Sequence, residues 1–285
     1  MKILVTGYNG QLGFDVVQEG QKRNLDMIGI GFEDLDITKQ DDVIAFVKNV
    51  KPDAIIHCAA YTAVDKAEEQ KELAWDVNVN GTRYLAELAA EIGSKFMYIS
   101  TDYVYDGEGD TAFNETSPVD PQSYYGLTKL EGEKVCQQLL NELFIVRISW
   151  VFGTNGHNFI NTMLRLSESR DELSVVDDQI GSPTYTYDLA RLLVDMIITD
   201  RYGVYQATNE GYCSWADFAL EIFAQANRDV KVNKITSEEY PTPAARPKNS
   251  RMSKQKLIEM GFEPLPHWKE ALSHYLKELD QEVNV

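Results

Sequence analysis

The amino-acid sequence predicts an α/β fold, a doubly wound parallel sheet with helices on both faces, followed by a smaller C-terminal α/β lobe. In residues 1–150, short apolar runs typical of buried parallel strands alternate with helical patterns. A glycine-rich turn joins the first of these strands to the first helix. Beyond residue 150 the alternation loosens into shorter elements. We therefore assign residues 151–285 mainly to the second lobe, while allowing some segments to return to the sheet.

The first strand, residues 2–6, runs directly into the glycine turn. Gly7, Gly10 and Gly13 follow a G-x-x-G-x-x-G spacing, and a helical pattern continues through residues 14–17. Glycines let the backbone turn tightly and approach a pyrophosphate, whose charge then lies at the helix N-terminus. This arrangement predicts a Rossmann-type dinucleotide site, although a purely structural tight turn also uses such glycines.

The second strand, residues 26–31, leaves the choice of cofactor open. NAD-binding folds of this kind place an acidic residue about 20 positions beyond the glycines, where it binds the ribose hydroxyls. Glu33 and Asp34 lie near that position but in a loop, and no arginine follows the strand to bind a 2′-phosphate. The sequence therefore predicts NADPH or NADH. Thr38, with Asp41 three residues later, predicts the start of the next helix.

Small residues end the third strand, residues 52–60. They would let the backbone run against a nucleotide, although plain close packing explains them equally well. A helix is predicted over residues 67–92, with an interruption at residues 78–82, because Asn78 and Asn80 are poor helix formers. We expect one of these asparagines to bind backbone or water near the site.

The fourth strand, residues 96–101, and the helix around Tyr125 carry the candidate catalytic residues. Tyr125 and Lys129 are four residues apart, so their side chains share one face of the helix. A nearby cation favours the phenolate, which predicts a tyrosine pKa lowered from about 10 toward neutral pH. Tyr125 is therefore a candidate general acid or base, with the Thr101 hydroxyl close to the same oxygen. Taken alone, such a pair is more often a surface contact.

A fifth strand is predicted over residues 144–149, after which the second lobe begins. Its predicted elements are a strand near residues 173–176 and helices near residues 159–167, 186–198, 214–226 and 267–280. Before the last helix, residues 241–251 form a loop with three prolines and two arginines. Arg246 is able to grip a phosphate or carboxylate with two parallel hydrogen bonds, which predicts an anionic substrate unless this is an ordinary surface loop.

Composition restricts the classes of partner. The 285 residues are 44% apolar and 25% charged, as in ordinary globular proteins, and no apolar run approaches the roughly 18 residues that span a membrane. The net charge of −18 argues against nucleic acid, whose phosphates would be repelled. Three scattered cysteines suit a reducing compartment, and the N-terminus does not resemble a signal peptide, so we expect a cytoplasmic protein.

With the three glycines, Thr101, Tyr125 and Lys129, the chain resembles the extended short-chain dehydrogenase/reductases over nearly its whole length. Within this family it is most similar to the reductases of dTDP-4-keto-6-deoxy sugars. The motifs that carry this resemblance are Ala59-Ala-Tyr-Thr-Ala-Val-Asp-Lys-Ala-Glu68, Ser100-Thr-Asp-Tyr-Val-Tyr105, Tyr125-Gly-Leu-Thr-Lys129, Arg147-Ile-Ser-Trp-Val-Phe152 and Arg246-Pro-Lys-Asn-Ser-Arg251.

The resemblance implies reduction of the C4 keto group of dTDP-4-dehydro-L-rhamnose to dTDP-L-rhamnose, the last step in making this sugar nucleotide. Tyr125 would protonate the C4 oxygen, while Lys129 would hold the nicotinamide ribose and depress the tyrosine pKa. The residues implied to bind the cofactor are Gly10, Gln11, Leu12, Asp36, Ile37, Ala60, Tyr61, Thr62 and Asn78. Those implied to bind the sugar nucleotide are Thr101, Asp102, Trp150, Arg246 and Asn249.

Two other functions stay open at this point. Nucleotide-sugar epimerases and dehydratases share the fold, but dehydratases commonly follow the Thr–Asp pair with a glutamate, where this chain has Tyr103. A non-catalytic regulatory subunit of a methionine adenosyltransferase also resembles this family, and the intact Thr101, Tyr125 and Lys129 argue against that reading.

The resemblance also raises the question of assembly. Some relatives bridge two subunits with magnesium held by acidic side chains, for which the candidate positions here are Asp15, Asp188 and Glu278. We predict no metal site, and we expect either a monomer or a homodimer.

Overall fold

A computed structural model describes the backbone of residues 1–283 and the side chains of residues 1–279. The strands are β1 (Lys2–Thr6), β2 (Asp26–Ile30), β3 (Ala54–His57), β4 (Lys95–Thr101), β5 (Leu143–Ile148), β6 (Val151–Phe152), β7 (Glu172–Val176), β8 (Ile180–Gly181), β9 (Thr184–Tyr185), β10 (Gly203–Gln206), β11 (Cys213–Ser214) and β12 (Lys231–Ile235). The α-helices are α1 (Gln11–Lys22), α2 (Gln40–Val50), α3 (Val64–Ala67), α4 (Lys71–Trp75), α5 (Thr82–Ile92), α6 (Tyr124–Leu139), α7 (Phe159–Ser167), α8 (Thr186–Ile197), α9 (Trp215–Gln225), α10 (Gln255–Glu259) and α11 (Trp268–Val283).

The central sheet has six strands in the order β10-β5-β4-β3-β1-β2, and every neighbouring pair is parallel. The predicted doubly wound parallel sheet is thus confirmed. The chain passes from β1 to β2 on one side and then returns to place β3 on the other side of β1. In such sheets the crevice at this reversal, beyond the carboxyl ends of the strands, is where ligands bind.

Alternating side chains of the strands build two cores, one on each face of the sheet. Ile3 and Val5 pack with the buried faces of α1 and α8, whereas Leu4 packs with residues of α2 and α5. Both faces are covered, which explains why the strands read as continuous apolar runs. Both β10 and α8 lie beyond residue 150 in the chain and yet belong to this layered unit.

The second lobe has a core of its own. Aromatic and aliphatic side chains from α7, β7, α9 and α11 pack there around Phe152. Strand β7 pairs in parallel with β12. A division of the chain at residue 150 stays a prediction. In the described part of the chain, no helix has both the length and the apolarity to cross a bilayer.

Two local expectations differ from the structure. Helix α2 begins at Gln40 with Lys39 as its N-cap residue, so the predicted start at Thr38 is wrong. Thr38 instead donates its N–H and hydroxyl hydrogens to Asp36 Oδ1, at 3.0 and 2.7 Å. The expected interruption at residues 78–82 is a wider π-helical turn, Asp76–Gly81, which connects α4 to α5 without breaking the helical path.

Candidate active site

A cleft of about 1060 Å³ opens at the carboxyl ends of β1, β3, β4 and β5. Most of the residues that the sequence predicted to be functional line this cleft. These are Gly7, Gly10, Gln11, Leu12, Gly13, Asp36, Ile37, Ala60, Tyr61, Thr62, Thr101, Asp102, Tyr125, Lys129 and Trp150. The strands carry them there because parallel strands present their carboxyl ends at one edge of the sheet.

The glycine turn fits a dinucleotide pyrophosphate. A Cβ atom at Gly13 would lie 2.3 Å from the Gly7 carbonyl oxygen, so the turn itself requires glycine there. At Gly10, in contrast, the closest atom to such a Cβ is 3.3 Å away, which leaves the space toward the cleft for a ligand. Gly10 is the N-cap residue of α1, with no side-chain cap and no acidic residue in the first helical turn. The N–H groups of that turn are therefore available to an anion.

Burial dominates the chemistry of Tyr125. Desolvation raises the pKa of its phenol well above the usual value, and a hydrogen bond with Thr101 opposes this only in part. The Lys129 ammonium lies instead over the ring of Tyr98, 4.1 Å from its centroid. The expectation that Lys129 lowers the tyrosine pKa toward neutral pH is wrong for this structure. Tyr125 is a protonated phenol at neutral pH, which suits a proton donor.

Lys129 is almost fully buried, at 3% exposure. Burial lowers the pKa of its ammonium to about 8, although the nearby Cys136 and Glu133 act in the opposite direction. The group is therefore a cation at neutral pH. Its position on the cleft wall, one helical turn beyond Tyr125, suits a contact with ribose hydroxyls.

Asp102 is a buried carboxyl group beside the candidate catalytic tyrosine. Burial raises its pKa to about 6, against the lowering effect of hydrogen bonds with Ser250 and Thr101. Oδ1 accepts a hydrogen bond from the Thr101 hydroxyl at 3.0 Å, whereas Oδ2 has no hydrogen-bond partner among the described residues. A buried acceptor without a partner is costly, so this oxygen is available to accept a hydrogen bond from a ligand.

Trp150 lines the cleft with a backbone conformation that is unusual for a bulky side chain. Its φ of 49° lies in the left-handed region. The indole stacks on Trp215, with ring centroids 3.8 Å apart and planes at 17°. Strain of this kind concentrates at ligand sites. No local pattern predicted the partner tryptophan, which lies 65 positions away in α9 of the second lobe.

Three candidate residues do not line the cleft. Asn78 uses its side-chain amide to bind both backbone groups of Tyr61 and the Thr128 hydroxyl, so it holds the cofactor wall from behind. Asn249 donates hydrogen bonds to the carbonyl groups of Glu108 and Thr111 at 3.1 and 2.8 Å. Direct contacts of these two asparagines with ligand stay predictions.

Arg246, the third residue, lies beside a second cavity of about 160 Å³. Its guanidinium donates to Asp65 Oδ2 at 2.7 Å and to the Tyr103 hydroxyl at 3.3 Å. The Tyr103 ring in turn packs edge-on against Tyr125, with centroids 5.5 Å apart. Arg246 is thereby connected to the candidate catalytic tyrosine through one aromatic ring. Sequence reasoning missed both Asp65 and Tyr103 as partners, although the selective motifs contain them.

Two of the three acidic residues considered for a magnesium bridge, Asp15 and Asp188, have protein partners. Asp15 accepts a hydrogen bond from the Thr186 hydroxyl, and Asp188 accepts one from Asn209 at 2.9 Å. Within the part of the chain that the structure describes, no group of three or more His, Cys, Asp or Glu side chains is arranged to hold a metal ion. The absence of a metal requirement stays a prediction.

The chain matches the model of a known protein family along almost its whole length. A model described as the RmlD substrate binding domain matches residues 1–281. The chain belongs to this family. Membership in the RmlD family confirms the resemblance inferred from the sequence motifs.

Named relatives match this RmlD-family chain along almost all of its length. A dTDP-4-dehydrorhamnose reductase of Aggregatibacter actinomycetemcomitans is 41% identical over 96% of this chain and 97% of its own. The crystal structure of a dTDP-4-dehydrorhamnose reductase from Clostridium acetobutylicum superposes with a TM-score of 0.96 at 45% identity, covering 98% of this chain and 100% of that one. The enzyme of that name from Bacillus anthracis, solved in complex with NADP, gives 0.95 at 42% identity with the same coverage.

Proposed function

We propose that this protein reduces the C4 keto group of dTDP-4-dehydro-L-rhamnose to give dTDP-L-rhamnose, with NADPH or NADH as the reductant. The observation that carries the proposal is the half-buried Tyr125 phenol beside Thr101 and Asp102, in a cleft that begins at the glycine turn. Full-length similarity to dTDP-4-dehydrorhamnose reductases supports the same substrate.

In this reaction the reduced nicotinamide supplies a hydride to C4, and the protein has to supply the proton. Tyr125 donates its phenolic proton to the C4 oxygen as that oxygen gains negative charge, so the carbonyl becomes a secondary alcohol. A phenol with a raised pKa still transfers this proton, because an alkoxide is a far stronger base than a phenolate. The site therefore favours reduction and holds the acid in its protonated form until the hydride arrives.

Thr101 and Lys129 support the proton donor in different ways. Thr101 has a single hydroxyl proton, which it donates to Asp102 in this structure. Once Tyr125 has lost its proton, the same hydroxyl can turn to donate to the phenolate, because it already lies within hydrogen-bonding distance. Lys129 would hold the nicotinamide ribose with its buried ammonium when the cofactor is bound.

The sugar nucleotide is bound by groups from both halves of the protein. Asp102 Oδ2 accepts a hydrogen bond from a sugar hydroxyl, and the stacked Trp150 forms an apolar wall of the pocket. Arg246 approaches the diphosphate from the C-terminal loop, where two negative charges can replace part of its contact with Asp65. Residues 1–150 bind mainly the cofactor, and residues 151–285 mainly the sugar nucleotide.

We also propose a cytoplasmic location, in agreement with the three free cysteines, and action as a monomer or homodimer. The nicotinamide cofactors and sugar nucleotides of this reaction are both small, highly charged molecules. No nucleic acid or membrane partner is expected.

The test is to incubate the purified protein with dTDP-4-dehydro-L-rhamnose and either reduced cofactor, following the reduced-nicotinamide absorbance. Formation of dTDP-L-rhamnose, identified by NMR of the new C4 proton, is the expected result. Absence of turnover with both cofactors would end the proposal. Tightly held NAD⁺ in the purified protein would then favour an epimerase or dehydratase, whereas stable association with a larger enzyme would favour a regulatory subunit.

A further inference from the structure

Tyr103 lies between the two cavities of the site. It lines both the main cleft and the smaller cavity beside Arg246. The side chain is half-buried and belongs to the short helical turn Asp102–Val104, which follows β4 directly. Its contacts therefore join the region around Arg246 to the region around Tyr125.

The ring of Tyr103 supports the Tyr125 ring from one side. The two rings pack edge-on, with centroids 5.5 Å apart and planes at 78°. This is a favourable geometry for an aromatic pair, and it restricts movement of the phenol. The Lys129 ammonium lies over a different ring, that of Tyr98. The orientation of the phenol therefore depends on the Tyr103 ring and on the hydrogen bond with Thr101.

The backbone of Tyr103 is fixed by the elements on either side of it. Its N–H donates to the Thr101 hydroxyl oxygen at 3.2 Å. Its carbonyl oxygen lies against the first turn of α6, where a Cβ atom at Gly126 would come within 2.3 Å of it. Glycine permits this close approach, which brings the preceding residue, Tyr125, against the Tyr103 ring. The position of the ring is thus set by backbone contacts as well as by side-chain packing.

The Tyr103 hydroxyl connects this ring to the C-terminal loop that carries Arg246. The oxygen accepts a hydrogen bond from Arg246 Nη1 at 3.3 Å. The same loop is held against the segment that follows Tyr103, because the Asn249 N–H donates to the Gly107 carbonyl at 2.8 Å. A Cβ atom at Gly107 would also lie 2.8 Å from Pro247 Cα. The loop and the ring are therefore parts of one packed unit.

Tyr103 is a neutral side chain at physiological pH. Burial and the nearby Asp102 raise the pKa of its phenol to about 12, although the charge of Arg246 opposes this. It therefore adds no charge beside the proton donor. A neutral phenol that is held at its backbone, its ring and its hydroxyl suits positioning rather than proton transfer.

We propose that Tyr103 is a positioning residue for the reduction: its ring holds the Tyr125 phenol toward the C4 oxygen, and its hydroxyl holds Arg246 ready for the diphosphate. The inference rests on the proposed function and deepens it, because one side chain then serves both the reacting carbon and the distant diphosphate. Binding energy from the part of the substrate that does not react can in this way help to align the proton donor.

The test compares Tyr103→Phe, which removes only the hydroxyl, with Tyr103→Leu, which also removes the ring. Calorimetry measures the affinity for dTDP, and stopped-flow absorbance measures the single-turnover rate with saturating dTDP-4-dehydro-L-rhamnose and reduced cofactor. We expect both variants to bind dTDP about two- to tenfold more weakly, which is the effect of losing one hydrogen bond. The single-turnover rate should change less than about twofold in Tyr103→Phe and fall about 10–100-fold in Tyr103→Leu, because a misplaced proton donor slows the chemical step.

Tyr212 provides the matched control. Its hydroxyl donates to the Met252 carbonyl at 3.1 Å, and the Lys254 ammonium lies over its ring, but it lines neither the cleft nor the second cavity. Tyr212→Phe and Tyr212→Leu should keep the wild-type dTDP affinity and single-turnover rate. The affinity for reduced cofactor should be unchanged in all four variants, which checks that the cleft is folded.

The outcomes separate positioning from a general structural role. An unchanged single-turnover rate in Tyr103→Leu would overturn the proposal, as would an equal fall in both Tyr103 variants or a parallel loss of cofactor affinity. Unchanged dTDP affinity in Tyr103→Phe would overturn the connection to Arg246. If the wild type itself does not turn over this sugar nucleotide, the proposed function fails and this inference fails with it. Wild-type turnover with unaltered Tyr103 variants would refute the inference alone.

Discussion

Tyr125 illustrates how burial decides the protonation state of a candidate catalytic side chain. The sequence places a lysine one helical turn away, and Coulomb attraction alone would lower the tyrosine pKa. In the structure, desolvation of the phenolate outweighs that attraction, while Lys129 lies against Tyr98. The result is a phenol that keeps its proton until a stronger base forms in the cleft.

The raised pKa of Asp102 leads to a testable prediction for the pH dependence of the reaction. Its pKa is raised to about 6, so the carboxylate, which we propose accepts a sugar hydroxyl, is lost as pH falls through that value. The Lys129 pKa of about 8 sets the opposite limit, because the ammonium is lost as pH rises. We predict a bell-shaped pH profile of kcat/KM for the sugar nucleotide with a maximum between these values, since this constant reports groups that titrate before the sugar binds.

Asp102→Asn should lower kcat/KM and remove the acidic limb, leaving the basic limb in place. Steady-state kinetics from pH 5 to pH 9.5 with saturating cofactor checks this. An acidic limb of unchanged midpoint in Asp102→Asn would show that another group controls it.

Much of the site was predictable at the residue scale because the motifs place Thr101, Asp102 and Tyr125 at strand and helix ends. The partners of these residues were not predictable. Arg246 is bound by Asp65, which lies 181 positions earlier in the chain, and Trp150 stacks on a tryptophan of another element. Such contacts depend on how the two lobes pack, and no local pattern encodes that packing.

At the scale of elements, helix α6 is held onto the sheet by a buried ion pair. Arg147 of β5 donates to both carboxylate oxygens of Glu133, at 2.8 and 2.6 Å, and also to the Tyr105 hydroxyl. The side chains of the pair are only 5% and 2% exposed. Because α6 also carries Tyr125 and Lys129, the Arg147–Glu133 ion pair fixes the position of these two residues relative to the sheet.

Removing one partner of this pair should be strongly destabilising, because the other charge stays buried. We predict that Glu133→Gln lowers the free energy of unfolding by about 3–5 kcal/mol, measured by urea denaturation. Glu131→Gln is the control on the same helix, where Glu131 pairs with Lys134 near the surface. Its effect should stay below about 1 kcal/mol. Similar losses in the two variants would contradict the assigned role of the buried pair.

The long elements were predictable to within a few residues because their apolar periodicity is strong. The errors fall where that signal is weak. The start of α2 has no side-chain cap, so Thr38 was a misleading signal. Strand β10 has four residues and joins the sheet only through pairing with β5, a contact between segments about 60 residues apart.

At the scale of the whole molecule, a buried histidine connects strands on both sides of the topological reversal. His57 of β3 contacts the hydroxyl groups of Thr6 in β1 and Thr82 in α5, at 2.7 and 3.1 Å. Burial and the charge of Lys129 lower its pKa to about 3. Between its usual value near 6.5 and that value, the unfolded chain binds a proton that the folded protein does not.

The free energy of unfolding should therefore decrease as the pH is lowered through this range, and His57 should contribute up to ~1.4 kcal/mol per pH unit. We predict that His57→Gln is less stable at pH 7.5 but loses stability less steeply between pH 6 and pH 4.5. Urea denaturation across this range measures the slope. His267→Gln, at an exposed position, should keep the wild-type slope. A steep slope preserved in His57→Gln would show that other groups cause the acid sensitivity.

The fold class was the most predictable property at this scale, because glycine turn, strand runs and helical periodicity all agree. The return of α8 and β10 to the central sheet was not predictable in the same way. No pattern in the residues beyond 150 distinguishes segments of the second lobe from segments that pack with the sheet. The cleft forms at the strand reversal, so the architecture fixed its position once the order of the strands was known.

The most direct test of the account compares cofactor oxidation by wild type, Tyr125→Phe and Tyr124→Phe with dTDP-4-dehydro-L-rhamnose and NADPH. Both substitutions remove one hydroxyl from the start of α6, but only the Tyr125 side chain lines the cleft. We predict rapid oxidation by wild type and Tyr124→Phe, and a fall of about 10²–10⁴-fold in kcat for Tyr125→Phe with little change in cofactor affinity. Full activity in Tyr125→Phe would contradict its role as the proton donor.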